Sequence, residues 1–293
     1  MMKKFLKKAM KQGKQKFEIC YGTSGNPPNF FKSKFGKKRI NAVEWINSIG
    51  LNSYEYLMTY GARTLPEVAR EIGEKARIFG VSLSVHAPYY IVFTSDKGGV
   101  FENSVKEMVK TLRLAEIMGA KKIIFHPGFN NSHNPVDKIV KGIKEVKKKY
   151  HGPVKILPET MGKFSQVGSV DEILEICERT GCEPCLDFGH IHARGGSLKS
   201  PEDFRKLIVK IKNKIGIKKL REVHCHFYPV EFDDKGEKRH RAYFEEDYFP
   251  KFEHFLPVIK EFNLTPTLIS ESRDSQDGGA LYMKKMVNNL NEN

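Results

Sequence analysis

The chain has 293 residues, 50 of them Lys or Arg against 35 Asp or Glu, for a formal charge of +15. With 40% hydrophobic and 29% charged residues it is neither disordered nor collagen-like, and no apolar run approaches the ~20 residues of a membrane span. At this length one large α/β domain, or two smaller ones, can bury a substantial core.

Short apolar, β-rich runs alternate with longer helical patterns, without a low-complexity linker or internal repeat. Strands are predicted at 17–22, 51–56, 81–86, 122–126, 154–159, 184–187, 222–227 and 265–271. Helices are predicted near 41–49, 65–79, 102–118, 135–150, 170–180, 202–213, 247–262 and 278–290. Thr64 ahead of Pro66 and Glu67, Ser169 ahead of Glu172, and Ser200 ahead of Pro201 and Asp203 are predicted N-caps. Ile139, Ile143, Val146 and Tyr150 form an apolar stripe at helical period, with lysines around it. Such alternation predicts a single (β/α)8 TIM barrel. The competitor, an open doubly wound sheet, would bring a glycine-rich phosphate loop after an early strand, and GTSGNPP is a poor version of one. The expected organisation is a basic N-terminal extension over 1–16 and a barrel over 17–293.

Residues 1–16 carry seven lysines and no acid, and the remainder still has 43 basic against 35 acidic residues, or +8. Further basic runs lie at 32–39, 147–149 and 210–221. Such a field attracts an anionic polymer through counterion release, and equally keeps a protein soluble. The start, MMKKFLKKAM, has no apolar stretch behind it and does not read as a secretory signal. Five cysteines (Cys20, Cys177, Cys182, Cys185 and Cys225) are few and odd in number, which predicts a reducing, cytoplasmic setting. Cys182 and Cys185 have the internal spacing of a zinc finger but no second pair, so they read as structural thiols. There is no Walker loop and no Gly-x-Ser-x-Gly elbow.

Six consecutive predicted strands, the third to the eighth, deliver His, Glu or Asp at their C-terminal ends. These are His86, His126, Glu159, Asp187 with His190 three residues on, His224 and His226, and Glu271; His240 follows in the loop after strand seven. In a barrel those ends converge on one face, where such folds build their sites. Any one of these side chains has a structural explanation, but a series of charged or ligating groups at one mouth needs partners. Imidazoles with carboxylates, and no thiolate, suit a catalytic site for divalent zinc or manganese.

The segments HAPYY, FHPG, PETMGKFSQVGS, CLDFGHIHARGG and ISES resemble endonuclease IV, the apurinic/apyrimidinic (AP) endonuclease family within the xylose isomerase-like barrels. The likeness runs from about residue 17 to the C-terminus and is most specific over strands three to six. It implies two or three ions, zinc in the first instance. His86, His126 and Glu159 would hold the first, Glu159 with Asp187, His224 and Glu271 the second, and His190 with His240 the third. It implies cleavage of duplex DNA on the 5′ side of an abasic site, with Glu159 and Glu271 as catalytic residues positioning the activated water. The implied partner is DNA containing abasic sites, with no membrane and no protein partner.

Three departures stand out. Where the family has Asp-Arg-His after strand seven, this chain has Lys238-Arg239-His240, and a protonated lysine cannot ligate a metal; Glu237, Asp233 or Asp234 are the available substitutes. Strand seven reads His-Cys-His-Phe where the family has His-Leu-Asn-Asp, so His224 is the ligand by register and His226 the alternative, both on one face of the strand. The family's Glu-Asn-Thr is shortened to Glu159-Thr160. Tyr89 and Tyr90 align with the family's Tyr-Leu pair inserted at the lesion, and Arg63 is an intercalating or phosphate-contacting candidate, with Lys163 a further phosphate contact. The rivals are a metal-dependent sugar isomerase or epimerase of the same superfamily, using His126, Glu159, Asp187, His224 and Glu271 as one smaller site, and a catalytically silent DNA-binding barrel disabled at Lys238.

Overall fold

In the computed structural model, which describes residues 19–292, the short apolar runs become one parallel sheet. Its strands are β1 (Cys20–Ser24), β2 (Ser53–Leu57), β3 (Ser82–His86), β4 (Lys122–Phe125), β5 (Lys155–Pro158), β6 (Cys185–Asp187), β7 (His224–Phe227) and β10 (Thr267–Ser270). A further antiparallel ribbon consists of β8 (Val230–Asp233) and β9 (Gly236–His240). The order β5-β4-β3-β2-β1-β10-β7-β6 has β5 and β6 at its ends, and a parallel bridge between Glu159 and Cys185 joins those ends. The result is the (β/α)8 barrel that the alternation predicts. All eight predicted strands are present, the first three residues later than expected at its start; the lysine-rich 1–16 lie outside the described residues.

The helices are α1 (Pro28–Lys32), α2 (Ala42–Ser48), α3 (Pro66–Phe79), α4 (Val100–Ile117), α5 (Pro135–Lys149), α6 (Val170–Thr180), α7 (Phe188–Ala193), α8 (Pro201–Ile215), α9 (Ile217–Arg221), α10 (Phe252–Glu261) and α11 (Gln276–Glu292). Ser169 opens α6 with a full capping box to Glu172, and the Ser200 side chain accepts from Asp203 N at the start of α8. Thr64, by contrast, is no N-cap. Leu65 holds that position with no side-chain bond, and the Thr64 hydroxyl lies 3.1 Å from the Tyr56 hydroxyl instead. The helix expected from 247 begins only at Phe252, because Pro250 lacks an N–H and restricts the residue before it.

The main core lies between the sheet and its helices. On α5, Ile139, Ile143 and Val146 are buried while the lysines face out. Phe188, Phe204, Phe227, Phe252 and Phe255 pack ring on ring beneath α8 and α10, each burial contributing about 1.5–3 kcal/mol. Inside the barrel the apolar content is small: Ile124, Leu157 and Cys185 form a separate cluster. Most other inward positions toward the C-terminal mouth carry imidazole or carboxylate.

Candidate metal centre

Each strand end contributes through a different device. His86 closes β3, and His126 and Glu159 each follow directly on β4 and β5. Asp187 ends β6 and caps α7, its Oδ1 accepting from His190 N at 2.7 Å, so His190 is carried one turn on and back over the same mouth. The β8–β9 ribbon folds across the opening, and Gly236 makes this approach feasible: with φ +97°, an added Cβ there would sit 2.2 Å from Gly162 O.

Three groups of side-chain atoms that could hold a metal ion result. In the first, His86, His126 and Glu159 come together, with Glu159 Oε2 3.4 Å from His86 Nε2 and 3.3 Å from His126 Nε2. In the second, Glu159 is joined by Asp187, His226 and Glu271, and His226 Nδ1 lies 2.9 Å from Glu159 Oε1, 3.5 Å from Asp187 Oδ2 and 3.6 Å from Glu271 Oε1. In the third, Glu237 Oε2 lies 3.1 Å from His190 Nε2 and its Oε1 3.2 Å from His240 Nε2. Glu159 thus serves two groups through separate oxygens. The buried Glu159 Oε2 and Asp187 Oδ2 have no hydrogen-bond partner among the described residues, although imidazole nitrogens of His86, His126 and His226 face them at 3.3–3.5 Å. His226 Nδ1 is hydrogen-bonded to Glu159 Oε1, but the remaining carboxylate oxygens and ring nitrogens converge without bonding one another, which fits a shared cation.

The rings are also oriented for this. Nδ1–H of His86 donates to Ala87 O at 3.0 Å, that of His190 to Thr160 O at 2.9 Å and that of His240 to Glu271 O at 2.9 Å. A carbonyl can only accept, so each bond fixes the tautomer and leaves Nε2 free to ligate. Electrostatics follow the packing. Burial opposes the charged form of His86, but Glu159 outweighs it and brings the ring up to about 8. Burial likewise works against the Glu159 carboxylate, yet His226 above all, then His126 and His190, hold it well below its usual range.

The structure brings together seven of the eight ligand candidates named from sequence: His86, His126, Glu159, Asp187, His190, His240 and Glu271. His224 falls elsewhere. It sits one step deeper on β7, bonded through Nε2 to Glu55 Oε2 at 3.0 Å, and His226 takes its place beside Glu159, Asp187 and Glu271. Lys238 points outward to Glu231 at 3.2 Å, and Glu237 fills the third group in its stead. The ribbon that positions Glu237 is missing from the predicted elements, although Val230-Glu-Phe-Asp-Asp-Lys-Gly carries strand alternation followed by a turn. Glu55, fully buried on β2 below His226, is likewise missing from the candidates named from sequence.

A cavity of about 490 Å3 opens above the groups, lined in part by Tyr89, Phe129, Lys163, Gln166 and Glu271. Tyr89 is 52% exposed, and its ring lies nearly parallel to that of His126 at 4.9 Å. Tyr90, 51% exposed, donates to Glu107 and flanks Gly61 together with the exposed Arg63, on a patch beside the cavity. Among the described residues, no helix is long and apolar enough to cross a membrane.

A sequence profile of the xylose isomerase-like TIM barrel family matches residues 43–291. An uncharacterized protein of Methanocaldococcus jannaschii is 27% identical over 91% of this chain and 96% of its own length. The Probable endonuclease 4 of Staphylococcus carnosus is 31% identical over 60% of this chain, and the match spans 64% of that protein. Among solved structures, endonuclease IV of Thermus thermophilus superposes with a TM-score of 0.69 at 17% identity, covering 94% of this chain and all of that one. A D-psicose 3-epimerase superposes almost as well, at 0.65 and 13% identity over 92% and 99%. Likeness at these identities establishes the shared fold alone.

Proposed function

The chain belongs to the xylose isomerase-like TIM barrel family, and from that membership we propose that it is a metal-dependent AP endonuclease of endonuclease IV type, acting on abasic sites in duplex DNA. One observation carries the reading: the third group, His190, Glu237 and His240, beside the two that share Glu159. A sugar isomerase or epimerase needs one smaller site, and the third group would then have no purpose. Its completion by Glu237 also counters the silent-barrel reading, which rests on Lys238. The endonuclease 4 names among the sequence relatives point the same way.

Divalent ions, zinc foremost, would activate water and neutralise charge on the attacked phosphodiester. The residues of the chain perform the rest. His86, His126 and Glu159 form one holding group, Glu159, Asp187, His226 and Glu271 the second, and His190, Glu237 and His240 the third. Glu159 keeps two of them in fixed relation through its two oxygens. Glu271, partly exposed to the cavity, faces the reacting phosphate and orients water there. Lys163 on the cavity wall meets a phosphate. Tyr89 offers its free face to a base beside the lesion, and Tyr90 with Arg63 extends that contact along the duplex. An abasic nucleotide loses little pairing energy when extruded, which gives selectivity for the lesion.

The test is a duplex with one abasic analogue, incubated with the protein with and without chelator. Chelator-sensitive incision on the 5′ side, abolished in Glu271→Gln with DNA affinity retained, is the expected result. Absence of incision by metal-replete protein, with interconversion of a keto-sugar instead, would transfer the site to the isomerase reading.

A further inference from the structure

Beneath the centre the barrel axis is unusually polar. Parallel barrels ordinarily fill this space with branched apolar side chains. Here Glu55 from β2, Cys185 from β6, and His224 and His226 from β7 project into it, each at most 1% exposed. The register explains the depth: Cys185 pairs with His224 and Asp187 with His226, so Cys185 and His224 form the layer directly below Asp187 and His226.

The contacts within this layer repeat those of the upper groups. Glu55 Oε1 and His226 Nε2 stand 3.0 Å apart, yet neither has a hydrogen-bond partner among the described residues. The distance suits a bond and the direction does not, as for Glu159 Oε2 between His86 and His126. His224 Nδ1 is likewise buried without a partner among the described residues. The ligand atoms of Cys185, His224 and His226 lie within 4.8 Å of one another, and Glu55 Oε2 is 3.0 Å from His224 Nε2. Two imidazoles and a thiol bring three zinc-type donors within reach of one another, and the Glu55 carboxylate, 3.0 Å from both imidazoles, stands as the candidate fourth. Orphaned polar atoms at this depth are costly unless something joins them.

We infer that Glu55, Cys185, His224 and His226 form an additional cation site, for one zinc-class ion, inside the barrel below the proposed catalytic centre. The shared wall is His226, whose Nδ1 faces the upper group and Nε2 the lower. Ligation sends the Cys185 thiol proton to solvent, and His226, bonded through Nδ1 to Glu159 Oε1, offers Nε2 to the lower ion and so links the two layers. Entry need not pass through the upper site. A cavity of about 480 Å3 at the opposite mouth reaches His224, lined also by Ser84, Thr267 and Lys122. Lys122 is held away from the ligands by Glu222 O and Thr267 Oγ1, at 3.2 and 3.4 Å. With every ligand on a barrel strand, the site is structural in character, tying β2, β6 and β7 together across the axis.

Sulfur separates this inference from the reading of the upper centre, whose three groups contain only nitrogen and oxygen donors among the described residues. The full chain, stripped with chelator and loaded with Co(II), should show a sulfur-to-cobalt charge-transfer band in the near ultraviolet. Cys185→Ser should remove that band and one ion per chain by elemental analysis, and Glu55→Gln should weaken retention of the same ion. Cys225→Ser, altering a thiol buried in the outer core, should leave both unchanged. A wild-type spectrum without the band overturns the inference by itself, whether or not the variants fold. So does a band that survives Cys185→Ser. Loss of incision with the band intact would count against the nuclease reading alone.

Discussion

Glu237→Gln is the sharpest perturbation of the centre, because it keeps the shape of the side chain and removes only its charge. The carboxylate is the sole anion of the third group, with imidazole nitrogens at 3.1 and 3.2 Å. A dication and one negative charge separated on that scale attract by about 11 kcal/mol at an effective dielectric of roughly 20. Dehydration of the ion and the remaining amide oxygen cancel most of it. If a quarter survives, about 2.8 kcal/mol, the affinity for the third ion falls by about a hundredfold. The assay is elemental analysis after dialysis against a graded chelator, read beside Lys238→Ala. Lys238 forms a half-exposed pair with Glu231, of a kind contributing about 0–1 kcal/mol, so its loss should leave the ion count unchanged. Full retention by Glu237→Gln with an ion missing from Lys238→Ala would refute the assignment of Glu237.

Gly162→Ala should disturb the same group sterically, since its Cβ would lie 2.7 Å from Glu237 Cβ and 2.9 Å from His190 Cδ2. Overpacking of about 1–3 kcal/mol should appear in thermal unfolding together with a weaker third ion, and an unchanged ion count would mean that the ribbon simply shifts. Tyr89→Ala should weaken binding to an abasic duplex by roughly 1–3 kcal/mol relative to intact DNA, as measured by anisotropy; unchanged discrimination would return Tyr89 to loop packing. Ser169→Ala removes the capping box of α6 and should cost about 1 kcal/mol, lowering Tm by about 2–4 °C without altering the metal content.

What could be read from sequence, and what could not, divides along physical lines. The strand ends were legible because each apolar run stops at a residue that apolar surroundings would not tolerate unpaired: His86, His126, Glu159, Asp187 and Glu271. Side-chain alternation also placed His224 and His226 on one face, but a period of two cannot say how deep along the axis each lies. Depth follows from the stagger of neighbouring strands, here Cys185 beside His224 and Asp187 beside His226. Glu55 was hidden for a related reason. An acid between two tyrosines in a short strand reads as an exposed edge until the partners across the barrel are known.

The ribbon gives the more general lesson. Its register shifts between Glu231 and Phe232, and Glu237 pairs with Phe232 beyond that irregularity. Position 238 therefore does not face the mouth as a motif comparison assumes; it points to Glu231, while the preceding residue faces inward beside His190. Replacing the expected aspartate by lysine leaves a carboxylate against His190 and His240, because the negative charge has moved by one residue and the backbone with it. A ligand set is defined by which oxygens and nitrogens meet within a few ångströms, and letters at fixed offsets report this only while the strand keeps its pairing. It follows that Lys238→Asp would add a carboxylate on the outer side, next to Glu231, and create repulsion there rather than add a donor to the proposed third group.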